Sequence, residues 1–325
     1  MKYDASRARA IFAGICLLLL AGFPLLDQEF YTEMVSRIMI IAIFVVSLDL
    51  LVGYTGLISF GHAAWFGLGA YSFALLSTKY QITSSLWITL PAAMAVSAVS
   101  AFLVGLFVLR TRGMFFIMVT LAFAQIFYFI FHDVKALGGS TDGINLRGKP
   151  DASIGGFVPF NLGDTNTLYY FVLLVLAALM MGLALLLRSP FGRALQGIRE
   201  NEHRMVSIGF PVYRYKLAAF TLAGSLAGLA GYLFAALSGG VNPELLSWHQ
   251  SADALLMLIL GGFGRFWGGI VGAFGFALLK EVMMGLSKHW QLWMGATIIL
   301  IVLFLPGGLM SIGGRIKALW FRSRA

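Results

Sequence analysis

Long unbroken apolar runs decide what this chain can fold into. Residues 86–109, 113–131, 168–187 and 217–237 each approach or exceed the ~20 residues that carry an α-helix across a bilayer. A lipid interior offers backbone groups no partner, so a spanning segment is a helix or part of a closed barrel. These runs are continuous rather than alternating in polarity, which excludes a barrel. The chain is 59% hydrophobic and 11% charged, against roughly 25% charged in a soluble domain. It is therefore expected to be an all-α, polytopic integral membrane protein, with residues 1–325 forming a single membrane domain and no soluble appendage.

Ten segments are expected to be transmembrane or membrane-embedded: 11–26, 34–51, 57–78, 86–109, 113–131, 168–187, 217–237, 251–263, 266–284 and 290–305. The first follows Lys2, Arg7 and Arg9 like a signal peptide. No small-x-small site precedes Asp27, so it is read as an uncleaved first helix. Segment 251–263 is short, and 57–78 carries Gly61, His62, Gly67 and Gly69. Both are expected as broken or re-entrant helices packed within the protein. With the N-terminus inside, 16 of the 23 Lys and Arg fall in cytoplasmic positions, which puts both termini in the cytoplasm by the positive-inside bias. The same bias accounts for the net charge of +9 without nucleic acid as a partner.

The loop 132–167 is external on this count. Its stretch Gly143–Lys149 matches seven positions of a phosphate-binding loop, but Pro150 stands where Ser or Thr would hold magnesium. Cys16, the single cysteine, permits no internal disulfide, and no His and Cys residues have metal-ligand spacing. Neither an HExxH pair nor a GxSxG elbow is present. Enzymatic chemistry and a resident metal or cofactor are therefore not expected.

Ionisable residues inside spans are costly, so each is a functional candidate by default. Asp49 interrupts an apolar segment, Asp253 begins a short one, and His62 lies among glycines. They either carry function or cap helix ends and bind neighbouring backbone. Lys280 and Glu281 are placed near the external interface, where Lys snorkels. Glycine is the more telling residue. Gly224, Gly228 and Gly231 recur in one segment, and Gly264, Gly268 and Gly272 keep a four-residue spacing. Such spacing puts small residues on one helix face and lets helices approach closely, at a pore, between two subunits, or within one chain. The segments 60–76 and 263–279 also match at eight positions without a gap, which proposes a duplicated unit.

The densest charge sits in RSPFGRALQGIRENEHRMVSIGFPVYRYK, residues 188–216. Pro190 suits a helix's first turn. Leu195, Ile198, Met205 and Val206 recur near helical period, and Gly209 with Pro211 stops the run. One short amphipathic cytoplasmic helix is expected. A basic loop lying on anionic headgroups explains the positive charge, but not Glu200-Asn201-Glu202 among the arginines. A mixed-charge helix suits docking to another protein.

GRALQGIRENEHRMVSIGFPVYRYKLAAFTLAGSLAGLAGYLFA resembles the cytoplasmic loop and following helix of branched-chain amino acid ABC-importer permeases, the LivH/LivM type. LVGYTGLISFGHAAWFGLGAYSFALL, GGSTDGINL and NPELLSWHQSADALLMLILGGFGRFWGGIVGAF look like that family's other hallmark segments. The GGSTDGIN loop and the N-terminal extension favour the LivM branch. The resemblance implies a bacterial inner-membrane permease subunit that moves branched-chain or other small apolar amino acids. It also implies a second, LivH-like permease, two LivG/LivF-like ATPases holding ATP and magnesium, and a periplasmic substrate-binding protein. The coupling positions would be Arg193, Ala194, Leu195, Gly197, Ile198, Arg199, Glu200, Asn201, Glu202, Arg204, Ile208 and Gly209. The family's general loop pattern is Glu-Ala-Ala with Gly six residues on; here His203 and Arg204 follow Glu202, and Gly209 comes seven later. Urea or amide permeases of the same class are the alternative, and behind them an ion-coupled secondary transporter using Asp49 or Asp253.

Overall fold

The computed structural model describes residues 20–26, 28–138, 142–153, 160–286, 288–305 and 307–311. The greater part of the expected first helix, with Cys16, and the basic residues from Arg315 onward lie outside the described residues. The helices are α1 (Glu29–Thr55), α2 (His62–Ala74), α3 (Leu86–Val108), α4 (Met114–Asp133), α5 (Thr165–Arg188), α6 (Pro190–Glu200), α7 (Glu202–Ser207), α8 (Val212–Ser238), α9 (Trp248–Gly261), α10 (Gly268–Leu286) and α11 (Trp290–Phe304). A two-residue ribbon pairs β1 (Ile144–Asn145) with β2 (Gly240–Val241) in antiparallel fashion.

Among the described residues, seven helical stretches are long and apolar enough to cross a membrane: α1, α3, α4, α5, α8, α10 and the run from Trp290. The two doubtful segments resolve as short helices of 13 residues in α2 and 14 in α9, below the ~20 that span a bilayer alone. A π-helical turn, Leu75–Lys79, continues α2.

Burial sorts the bundle into centre and rim. All of α2 is buried, and the most apolar windows of α1 and α8 are 78% and 61% buried, against 18–33% in the other spans. The helix α1 packs on α5, α8, α9 and α10, while α8 also packs on α2 and α3. Rim helices turn Phe115, Leu174, Leu278 and Leu303 outward, where hydrocarbon is the natural solvent. Lipid tails are as apolar as Leu, so burial does little to drive helices together there, and close backbone approach matters more. Backbone contact is what α2 and α8 show: a Cβ added at Gly69 would lie 2.6 Å from the Gly228 carbonyl carbon, and one at Gly231 2.7 Å from that of Phe66.

One end of the bundle carries the folded basic loop between α5 and α8. The opposite, far side carries the segment between α4 and α5, which is stitched down at several points. Ile144 pairs with Val241, and Leu146 N–H donates to Gly239 O at 2.9 Å. Asp151 N–H donates to Ser84 O, its own carbonyl accepts from Leu86, and Trp87 Nε1 donates to Ala152 O. Gly143 and Ile144 thus belong to a strand junction rather than a phosphate cradle. The proposed duplicate segments both lead into helices, but out of step: the alignment sets Gly268, the start of α10, opposite Trp65, three residues into α2.

Candidate functional site

The basic loop is where this apolar chain builds polar structure. Ser189 caps α6 by accepting the Gly192 N–H at 3.3 Å, with Pro190 in the first turn. The expected single helix is in fact two. Asn201 leaves helical geometry (φ −157°, ψ 95°), and its Oδ1 accepts the Arg204 N–H at 2.9 Å to cap α7. Asn is among the strongest N-cap residues, so the charge-rich Glu-Asn-Glu stretch is a break and a restart. Gly209 at φ +85° ends the unit, and α8 follows directly.

The two short helices fold on each other and on α8. Met205 Sδ lies 3.0 Å from the position a Cβ would take on Gly197. Glu202 Oε2 pairs with Lys216 Nζ at 2.7 Å, and Phe191 stacks on Tyr215. Ala194, Leu195 and Ile198 are buried beneath α6, whereas Arg193, Glu200 and Arg204 are exposed. Beyond them Val206 and Ile208 stand 54% and 63% exposed. The loop therefore grips the bundle with one set of side chains and leaves apolar Val206 and Ile208 exposed among residues of mixed charge.

Its grip reaches the central helix α1. Arg199 Nη1 donates to Gly53 O, in the last turn of α1. The guanidinium also lies 5.9 Å from the ring centroid of Phe263, in the turn between α9 and α10. In that turn the Gly264 N–H donates to Asp49 Oδ1 at 2.9 Å. Asp49 is 3% exposed. The structure thus gathers three residues singled out separately in sequence, Asp49, Arg199 and Gly264, into one cluster, and adds Gly53 and Phe263. The local hint was the Asp49-to-Gly53 spacing, one helical turn, which leaves room for the carboxylate on Gly53's side.

The remaining candidates go elsewhere. His62 is fully buried, with Nε2 2.8 Å from Ser47 Oγ and its ring stacked on Phe44. Gly61 lets the α1–α2 link pass the backbone of α4, since a Cβ there would lie 3.1 Å from the Thr120 carbonyl carbon. Asp253 lies within electrostatic reach of Lys280 and His249, apart from the Asp49 cluster. Gly264 is not on a helix face with Gly268 and Gly272. It adopts φ +72° ahead of α10, so the four-residue spacing runs across a helix start. Gly268 and Gly272 press on Gly262, just beyond α9, and on Met257 within it, which is packing inside one chain. No cluster of three His, Cys, Asp or Glu suited to a metal forms among the described residues.

An all-α bundle of span-length apolar helices around a short, wholly buried one defines an integral membrane protein. A family model described as branched-chain amino acid transport system / permease component matches residues 30–305, and the chain belongs to that family. It is 32% identical to the high-affinity branched-chain amino acid transport system permease protein LivM of Salmonella typhimurium, covering 92% of this chain and 74% of that one. Identity to LivM of Escherichia coli is likewise 32%, over 94% of this chain and 76% of the relative. A more distant likeness, 30% identity over 49% of this chain and 52% of the other, is to the ribose import permease protein RbsC of Bacillus subtilis. No solved structure matches the chain. The chain is thus a permease component of a transport system, not an enzyme.

Proposed function

We propose that this permease is one membrane subunit of an ATP-driven importer for branched-chain or other small, mainly apolar amino acids. It pairs with a second, LivH-like permease and receives substrate from a periplasmic binding protein. Two LivG/LivF-like ATPases on the cytoplasmic side bind ATP and magnesium and supply the energy. The membrane is the bacterial inner membrane, with the 188–216 loop and both termini cytoplasmic and the far-side loop external. Arg193 to Gly209 form the coupling element.

The observation that carries this reading is the two-faced α6–α7 unit. A loop that only lay on headgroups would need neither two capped helices nor a buried face tied to α1. The exposed Val206 and Ile208 beside Arg204 suit a groove on a partner protein, and Arg199 ties the unit to the core. Asp49 spends its carboxylate on a backbone N–H, which weighs against a freely titrating ion-coupling group.

Replacing Ile208 or Val206 by Asp in the assembled importer tests the reading. Uptake should collapse while the permease still reaches the membrane, and less ATPase should co-purify. Normal uptake and normal ATPase retention would overturn it. So would solute movement by the purified chain alone down a proton or sodium gradient in liposomes. Identifying the ligand carried by the co-purifying binding protein decides between amino acids and the urea or amide alternative.

A further inference from the structure

Two helix C-termini converge on the Arg199 guanidinium. The carbonyls of a helix's last turn lack intrahelical donors, and that end carries a negative partial charge. Gly53 O belongs to the last turn of α1 and accepts from Arg199; α9 ends at Gly261, and Phe263 just beyond it faces the same cation. Asp49, one turn before Gly53, holds the Gly264 N–H of that second terminus at 2.9 Å. Two glycines permit the approach, and a third lies beside it. A Cβ at Gly53 would lie 2.8 Å from Asp49 Cγ, and one at Gly264 2.9 Å from Gly53 O. Gly56, at φ +78°, lies against the Arg199 stem, 3.4–3.8 Å from where its Cβ would stand.

We infer that Asp49 and Arg199 form a polar clip that makes α6, the end of α1 and the α9–α10 turn move as one body. The inference rests on the coupling reading above and adds which parts of the bundle receive the push. Asp49 is a positioning residue: it is buried and fixes the α9–α10 turn to the helix that Arg199 grips. Force applied to α6 then reaches the buried α1, and through α9 and α10 the rim, in a single step.

The test measures solute imported per ATP hydrolysed by the whole importer in liposomes. Asp49→Leu removes the acceptor and should lower that ratio about tenfold, within the usual range of coupling energies. Asp49→Asn keeps an acceptor oxygen for the Gly264 N–H and should stay within about threefold. Equal loss in both would mark a titrating carboxylate and overturn the clip. A wild-type ratio in Asp49→Leu would also overturn it, while leaving ATP-driven coupling intact.

Should Asp49→Leu not assemble, distances decide the matter on native Asp49. Spin labels at Gln196→Cys and Arg265→Cys, in a Cys16→Ser background, report on α6 and the turn. Their separation should hold between nucleotide-free and ATP-trapped importer while a Gln196→Cys, Met114→Cys pair changes. A shift of about 5 Å, one helical turn, between 196 and 265 would overturn the clip. Constant distances in both pairs would overturn it as well, because α6 would then not move against α4, which lies outside the clipped body.

Discussion

Two glycines in long apolar helices should respond in opposite directions to the same added methyl group. Gly231 of α8 faces α2, and a Cβ there falls 2.7 Å from the Phe66 carbonyl carbon and 3.2 Å from Ala70 N, where ordinary contact is 3.4–4 Å. Both obstacles are backbone, and α2 is buried along its whole length, so no side chain is free to swing aside. Overpacking costs ~1–3 kcal/mol, and Ala in place of a helical Gly returns ~1 kcal/mol. Because the obstacle is rigid, Gly231→Ala should destabilise by about 1–2 kcal/mol net. Gly182 of α5 has no atom within 4 Å of an added Cβ, and Gly182→Ala should stabilise by about 0.5–1 kcal/mol through backbone entropy. At ~2 °C per kcal/mol for a chain of this size, the Tm values should move roughly 2–4 °C down and 1–2 °C up. Tryptophan fluorescence of the detergent-solubilised protein during heating reads both. If Gly231→Ala melts at or above Gly182→Ala, the backbone contact between α2 and α8 is not as described.

Asn201→Ala deletes the cap of α7 and should cost ~1 kcal/mol locally; amide exchange across 202–208 should quicken while that of α8 stays put. Gly209 sits at φ +85° with nothing within 4 Å of an added Cβ, so its substitution meets only conformational strain, ~1–2 kcal/mol. Gly209→Asn should therefore retain more uptake than Gly209→Val, and equal loss would refute the strain argument. Asp164 caps α5, and hydrogen bonds from the Thr167 hydroxyl and N–H hold its carboxyl below the usual range. A depressed folded-state value stabilises above the unfolded value of ~3.9 and loses that contribution as pH falls through the folded one. Asp164→Ala should accordingly lower Tm at pH 7, and the gap to wild type should narrow as pH falls below the unfolded value.

The spans were legible because the bilayer demands length and apolarity from every crossing helix. Segment 86–109 is met by α3 at Leu86–Val108, and 290–305 by α11 at Trp290–Phe304. The short helices α2 and α9 announced themselves by glycine and by length. The break at Asn201 was hidden because its neighbours Glu200 and Glu202 draw attention as charges, although Asn between them is a capping residue. Gly264, Gly268 and Gly272 show the limit of spacing arguments: a four-residue interval means one face only where all three residues are helical. The meeting of Asp49 with Gly264 spans 215 residues, and no local pattern records a contact of that range. Folding of the basic loop was readable from Pro190 and Gly209, whereas its hold on Gly53 was not.

The burial of α2 has a consequence for how the chain is made. A helix of 13 residues is too short to be held across a bilayer by its own hydrophobicity, and its cover comes from α3 and α8. Translation at ~5–20 residues per second leaves on the order of ten seconds between the emergence of Ala74 and that of Val212. During that interval the nascent protein holds a segment whose lasting neighbour has not yet been synthesised. The insertion machinery must either shelter His62–Ala74 or let it wait at the interface until α8 arrives. Synthesis stalled before Val212 should therefore yield a product that proteases recognise as incomplete, despite four finished span-length helices.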